Sequence, residues 1–144
     1  MVEFRYARGR IAESVQYISE EMREFDDEYA DRSWQAYRED KKLQKLMDRT
    51  VENILTALIE VSGTLLVEEG IALDNYGEVL SRCAALYSFS EEERLLLAKL
   101  ALQRNRLAHR YLNLRWQAIE TYAKTAGLIR RLLNDVLQRE EAKG

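Results

Sequence analysis

An all-α fold is predicted by three observations. The 144 residues contain no proline, apolar side chains recur at steps of three and four over long stretches, and the few glycines fall mostly near the ends of those stretches. Long helices joined by short connections favour antiparallel neighbours, so the expected architecture is an up-and-down bundle of four main helices plus one short one. With 47% hydrophobic residues the chain can close one core, as a single domain spanning 1–144.

In the first stretch Ile11, Val15, Ile18, Met22, Phe25 and Tyr29 share one stripe of a helix from about Phe4 to Asp31. Its other face carries Glu20, Glu21, Glu24, Asp26, Asp27, Glu28 and Asp31, either as a solvated surface or as one that meets a basic partner. Trp34 and Tyr37 follow, with a spacing that suits core packing or a dimer interface. Leu43, Met47, Val51, Ile54, Leu58, Val61 and Leu65 then predict the longest helix or a kinked pair, with Gly70 as its left-handed stop. A loop from Ile71 leads to a short third helix over Tyr76, Val79, Leu80, Cys83 and Leu86 or Tyr87. Ser90 and Glu93 have capping-box spacing, so a helix begins at Glu91 and carries Leu96, Leu100 and Leu107 towards the segment that follows. The last helix is expected over about Leu114 to Gln138, with Trp116, Ile119, Tyr122 or Ala123, Ala126, Ile129, Leu133, Val136 and Leu137 inward and Glu140 to Gly144 frayed.

Composition narrows the function classes. A single cysteine, Cys83, permits no intrachain disulfide and no multi-cysteine zinc site, and it reads best as a small core residue. No run approaches the ~20 apolar residues of a membrane span, and the N-terminus meets charge at once, so a cytoplasmic protein without membrane contact is expected. A net charge of −3 argues against a globally basic nucleic-acid surface. No G-x-x-x-x-G-K-[ST] or G-x-G-x-x-G loop is present. Glu-x-x-His metal pairs are missing too, because the residue three before the lone histidine is Arg106. No metal site and no cofactor are therefore expected.

Chemistry concentrates in Arg104-Asn105-Arg106-Leu107-Ala108-His109-Arg110-Tyr111, which holds the only histidine. Asp and Glu supply 25 residues of the chain, yet none lies between Arg94 and Ile119, which suggests an anionic ligand. If the motif were helical, Arg104 and Tyr111, seven apart, and Asn105 and His109, four apart, would line adjacent strips. Guanidinium groups grip phosphate oxygens, and a histidine exchanges protons near neutrality, so Arg104 and His109 are candidate parts for RNA cleavage without metal. Two-fold dimerisation across the site would supply a second histidine. A single surface histidine and arginines favoured by a helix C-terminus would leave the same traces, and Tyr111 alone would be read as packing.

Arg104-Asn105-x-x-x-His109-x-Tyr111 resembles the R-x4-H-x-Y motif of the HEPN superfamily, specifically the HepT toxins of HepT/MntA toxin–antitoxin pairs. The likeness extends to RTVENILTALIEVSGTLLVEEG (49–70) and NYGEVLSRCAAL (75–86), and covers roughly Lys41 to Leu137. The resemblance implies a homodimeric bundle whose two motifs form one metal-independent ribonuclease cleft for tRNA or mRNA, as the toxin of a type VII pair. In it Arg104 and His109 would be catalytic, Asn105 would orient them, and Arg106 and Arg110 would hold RNA phosphates. It also implies an MntA-like nucleotidyltransferase antitoxin that places AMP on Tyr111, adding charge and bulk beside Arg104 and His109. Two alternatives stay open: a noncatalytic nucleotide- or substrate-binding subunit of a minimal nucleotidyltransferase, using Arg104, Arg106 and Arg110, and a helical adaptor in which the motif only packs. Trp34, Tyr37 and the motif helix are the candidates for the dimer face.

Overall fold

The computed structural model describes residues 7–143. Seven α-helices stand in them: α1 (Ile11–Glu28), α2 (Trp34–Glu39), α3 (Lys41–Glu68), α4 (Val79–Ala84), α5 (Glu91–Ala98), α6 (Leu100–Arg106) and α7 (Leu112–Lys143), with a 3-10 turn at Tyr76–Glu78 before α4. No strand occurs among the described residues.

The buried stripe of α1 is Ile11, Val15, Ile18, Met22 and Phe25, as the periodicity predicts. The expected start at Phe4 lies outside the described residues. Among those described, the helix begins at Ile11, after a turn in which Gly9 takes φ +71°. It also stops at Glu28, short of Asp31, where Ala30 N–H bonds back to the Phe25 carbonyl. Helix α2 was not expected: six residues are too few to show a period. Ser33 caps it, its hydroxyl accepting from Ala36 N–H at 3.1 Å. The buried Gln44 amide closes its other end by donating to the Tyr37 carbonyl at 2.8 Å. Tyr37 is fully buried inside the chain, which removes it from the candidate dimer face.

Helix α3 is one continuous rod rather than a kinked pair. It is not the longest, with 28 residues against 32 in α7. The Asp40 carboxylate caps it by accepting from Leu43 N–H, and Gly70 at φ +77° ends it, with Ile71 N–H returning to the Leu66 carbonyl at 2.9 Å. Leu43, Met47, Val51, Ile54, Leu55, Leu58, Ile59, Val61, Leu65 and Leu66 are all buried, so α3 is enclosed on several sides. By length and apolar composition alone it could cross a membrane, against the expectation that no stretch comes close; 67% of its most apolar window is buried within the bundle, as in a core helix.

Three further expectations change in the second half. Tyr76 and Leu86 face outward, while Val79, Leu80 and Cys83 pack inward. The helix that starts at the Ser90–Glu93 capping box, with both reciprocal bonds formed, breaks at Lys99 into α5 and α6. A tight turn there brings Leu97 and Leu100, three apart, onto the same buried side, whereas Leu96 is exposed. At the other end, α7 does not fray after Gln138 but continues to Lys143.

Cross-helix contacts set the directions. Phe25 meets Tyr122 edge-on at 5.0 Å, while Val15 and Leu137 line one groove, so α1 and α7 run antiparallel. Asp48 pairs with Arg115 and Glu68 with Arg139, so α3 and α7 run parallel. Arg106 meets Gln117 and Glu93 meets Arg131, which makes the α5–α6 rod antiparallel to α7. The result is the expected up-and-down bundle of four rods, one of them broken, with the short α2 and α4 at its connections.

The continuation of α7 is explained by ion pairs. Arg139, largely buried, contacts Glu68, Glu69 and Glu140, and Lys143 reaches Glu68 at 3.0 Å. Burial works to raise the Glu68 carboxyl, but hydrogen bonds from Lys143 and Arg139 outweigh it and hold the carboxyl below its usual value. A carboxyl depressed by folding stabilises the native state above its unfolded pKa of ~4.3 and loses that effect as pH falls through the lower folded value. Arg139→Ala is therefore expected to cost about 1–2 kcal/mol at pH 7. The difference from the native chain in urea unfolding should shrink below pH ~4; a pH-independent difference would assign Arg139 to packing alone.

Candidate functional site at the turn between α6 and α7

Helix α6 ends at Arg106, and Leu107, Ala108, His109, Arg110 and Tyr111 form the connection to α7. The motif is thus split: Arg104, Asn105 and Arg106 are on the last turn of a helix, while His109, Arg110 and Tyr111 are on a loop. The picture of two strips along one helix does not hold. The chain folds back because Leu107 is buried and anchors the turn, while Ala108 to Tyr111 are exposed. Backbone bonds carry the helix over the edge: Leu107 N–H to the Gln103 carbonyl at 3.2 Å, Ala108 N–H to Asn105 at 3.3 Å and His109 N–H to Arg106 at 3.0 Å.

Within the loop, Tyr111 N–H donates to Nδ1 of His109 at 3.3 Å. Nδ1 therefore acts as an acceptor, which places the proton of the neutral ring on Nε2 and makes that nitrogen the one available to donate to a ligand. The His109 and Tyr111 rings lie 4.9 Å apart at 32°. Arg110 stacks its guanidinium over the Tyr111 ring at 5.1 Å and donates to its hydroxyl at 3.2 Å. Arg106 donates to Gln117 at 3.3 Å, and the Arg104 guanidinium lies 5.6 Å from the centre of the Tyr76 ring. Asn105 is exposed on the same last turn of α6. His109, Arg110 and Tyr111 are brought together, with Arg104 to Arg106 on the adjoining turn, and solvent reaches all of them.

Sequence reasoning missed what holds this exposed loop in place. Four residues past Tyr111, Arg115 donates to Asp48 Oδ2 at 2.6 Å, and Tyr37 donates its hydroxyl to Asp48 Oδ1 at 2.6 Å. Arg115 N–H also bonds the Tyr111 carbonyl at 3.3 Å, tying the loop to the start of α7. The ring of Tyr37 packs in turn with those of Trp34 and Trp116, with ring centres 5.1–6.2 Å apart. Burial pushes the Asp48 carboxyl up against the pull of its Tyr37 hydrogen bond and the Arg115 charge. Burial, then the bond to Asp48, raises the Tyr37 hydroxyl far above its ordinary value, so it stays a donor. The signal that was present is Arg115 itself, inside the acid-free window; its acid is 67 residues away and no spacing points to it. Cys83 is buried in the core, and burial pushes its thiol up to about 11, which suits the packing role expected of it. Among the described residues no group of three or more His, Cys, Asp or Glu side chains is placed to hold a metal ion.

The family model described as Ribonuclease HepT-like matches residues 18–136, from within α1 to within α7, and so spans the whole motif. No curated protein and no solved structure matches the chain significantly.

The Asp48–Arg115 pair should be needed for both stability and loop order. Asp48→Ala strands a largely buried guanidinium and the Tyr37 hydroxyl together, with an expected cost of about 3–5 kcal/mol in urea unfolding. Amide exchange over 107–111 should quicken in that variant under native conditions. Unchanged exchange there would show that the loop is held without this pair.

Proposed function

Because the chain belongs to the HepT-like ribonuclease family, we propose that it is the ribonuclease toxin of a type VII toxin–antitoxin pair, cutting tRNA or mRNA without metal. The observation that carries the reading is the exposed pairing of His109 with Tyr111 on the turn directly after the Arg104-bearing helix, in a stretch without acidic residues. Arg104 neutralises charge on the scissile phosphate, with Arg106 and Arg110 gripping neighbouring phosphates and Asn105 orienting the motif. The 2'-hydroxyl loses its proton to one histidine, whose Nδ1 must give up the Tyr111 N–H to accept it, and attacks phosphorus. The bond to the 5'-oxygen breaks, a 2',3'-cyclic phosphate forms, and the departing oxygen takes a proton from a second histidine.

One chain has one histidine, so the acid and the base come from two copies related by a two-fold axis. Leu95, Leu96 and Leu102 are exposed on the α5–α6 rod that leads into the motif, and offer the apolar surface for that contact. Tyr111, 51% exposed and with its hydroxyl accepting from Arg110, can give up its phenolic proton to a base, attack the α-phosphorus of ATP held by an MntA-like antitoxin and release pyrophosphate. The resulting phosphodiester repels RNA phosphate from Arg104 and His109.

Protein made without a partner, with Tyr111 verified as unmodified by intact mass, should cleave bulk tRNA or a model mRNA in chelator. His109→Ala should lower the rate by about 10²-fold or more. If neither protein cuts, while the native one binds nucleotide saturably, the chain is instead a binding subunit of a nucleotidyltransferase. A Leu95→Asp, Leu102→Asp double variant should run as a monomer in analytical ultracentrifugation and lose cleavage; a cleaving monomer would rule out the composite site.

A further inference from the structure

Arg94, Arg104, Arg106, Arg115 and Arg139 are the half-buried arginines among the described residues. Arg115 lies against Asp48, and Arg139 against Glu68, Glu69 and Glu140. The other three form no ion pair among the described residues. Two of these, Arg104 and Arg106, belong to the motif, and the third opens the acid-free stretch in which the motif lies. Arg94 is the least satisfied. Its Nε is buried with no hydrogen-bond partner among the described residues, whereas Arg106 donates to Gln117 and Arg104 lies against the Tyr76 ring. A guanidinium half out of water without a counter-charge carries a desolvation cost that a bound anion offsets.

Arg94 lines a cavity of about 360 Å³ between α4 and α5, together with Ser81, Arg82, Ala85, Glu91 and Leu95. Arg82 is exposed, donates to the Ala72 carbonyl at 3.4 Å and forms no ion pair among the described residues. Glu91, in the first turn of α5, puts one carboxylate on the wall against the two guanidinium groups, so the cavity keeps a net positive charge. It also stands on the motif's side of the rod. The Tyr76 ring centre lies 5.6 Å from the Arg104 guanidinium, and the chain leaving that turn becomes α4, whose Arg82 shares the cavity with Arg94. The turn and α4 thus run along the α5–α6 rod from Arg104 back to Arg94, a length of roughly 15 Å at helical rise.

We propose that Arg82 and Arg94 form a second phosphate-binding subsite, outside the motif, which takes the backbone of the same RNA strand a few nucleotides away from the cut. The inference rests on the reading of the motif as a ribonuclease site. Guanidinium forks match phosphate oxygens, and a cationic track that follows the backbone grips a single strand without reading its bases. A strand held at one end is presented to the other at high local concentration. The consequence is a preference for length: a strand that reaches from Arg104 to Arg94 gains a contact that a dinucleotide does not.

The test uses full-length protein carrying His109→Ala, which leaves RNA uncut, and compares it with the same protein carrying Arg94→Gln, Arg82→Gln or Glu91→Gln. The probes are a single-stranded oligouridylate of about 12 nucleotides and a uridine dinucleotide. Arg94→Gln is expected to weaken binding of the long strand about 10-fold and to lower the slope of log affinity against log salt by about one, with the dinucleotide unaffected. Arg82→Gln should act in the same direction with an unchanged melting temperature, as that side chain is exposed. Glu91→Gln, which removes the carboxylate from the wall, should tighten the long strand. Equal loss for both probes, or an unchanged salt slope in both arginine variants, overturns the proposal. Leu95 borders the cavity and belongs to the apolar surface assigned to the dimer contact, so the oligomeric state is read as well. Dissociation of the dimer by Arg94→Gln would pair Arg94 with a carboxylate of a second copy and overturn the proposal, as would saturable binding of a free mononucleotide that Arg94→Gln abolishes. If protein with native His109 fails to cut any RNA, the ribonuclease reading falls separately, and the length dependence of binding still decides the role of the cavity.

Discussion

Burial of α3 on several sides at once is the constraint from which the architecture follows. A helix with one apolar stripe needs one neighbour. One that buries Leu43, Met47, Val51, Ile54, Leu55, Leu58, Ile59 and Leu66 needs cover all round it. The α1 stripe, α4, the α5–α6 rod and α7 supply that cover, and no single one of them would suffice. The break at Lys99 fits the same demand, since it turns both Leu97 and Leu100 onto the core where an unbroken helix would place them less squarely.

The candidate site depends on this core in an indirect way. Its candidate side chains His109, Arg110 and Tyr111 occupy an exposed turn, where few apolar contacts limit motion, and such a turn needs anchoring from elsewhere. Leu107 fixes one end in the core, and Arg115 fixes the other through Asp48 of α3 and, beyond it, Tyr37. Through the Asp48–Arg115 pair, and the packing of Tyr37 against Trp116, the central helix that organises the fold also holds the start of α7 in register. Only the positions of backbone and anchors are set in this way. The guanidinium groups of Arg104, Arg106 and Arg110 are placed only by local contacts, with Tyr76, Gln117 and Tyr111.

The parts legible in the sequence are those governed by period and by local capping. Stripes at Ile11 to Phe25 and Leu43 to Leu65, the stop at Gly70 and the capping box at Ser90 need only near neighbours along the chain to be read. The motif was legible as a cluster of residue types, and its likeness to the HepT toxins was legible as a pattern, in agreement with the family match over residues 18–136. What was illegible depends on distance in sequence or on shortness. Helix α2 is less than two turns long, and the split of the motif between helix and loop turns on where Leu107 buries itself. Asp48 is one acid among 25 until Arg115 comes to it through the fold. The persistence of α7 to Lys143 was missed for the same reason: its partners, Glu68 and Glu69, lie on another helix.

Cys83 has a practical consequence. It is the only thiol, it is enclosed between helices, and burial holds it at about 11, so very little of it is thiolate near neutrality. Maleimide and iodoacetamide reagents should pass over it while the bundle is closed. A cysteine introduced on an exposed position would then accept a fluorophore alone, in an otherwise native background. Labelling of Cys83 itself becomes a clock for the opening of the bundle, reporting how often the packing between α3 and α4 comes apart under conditions where no denaturant is present.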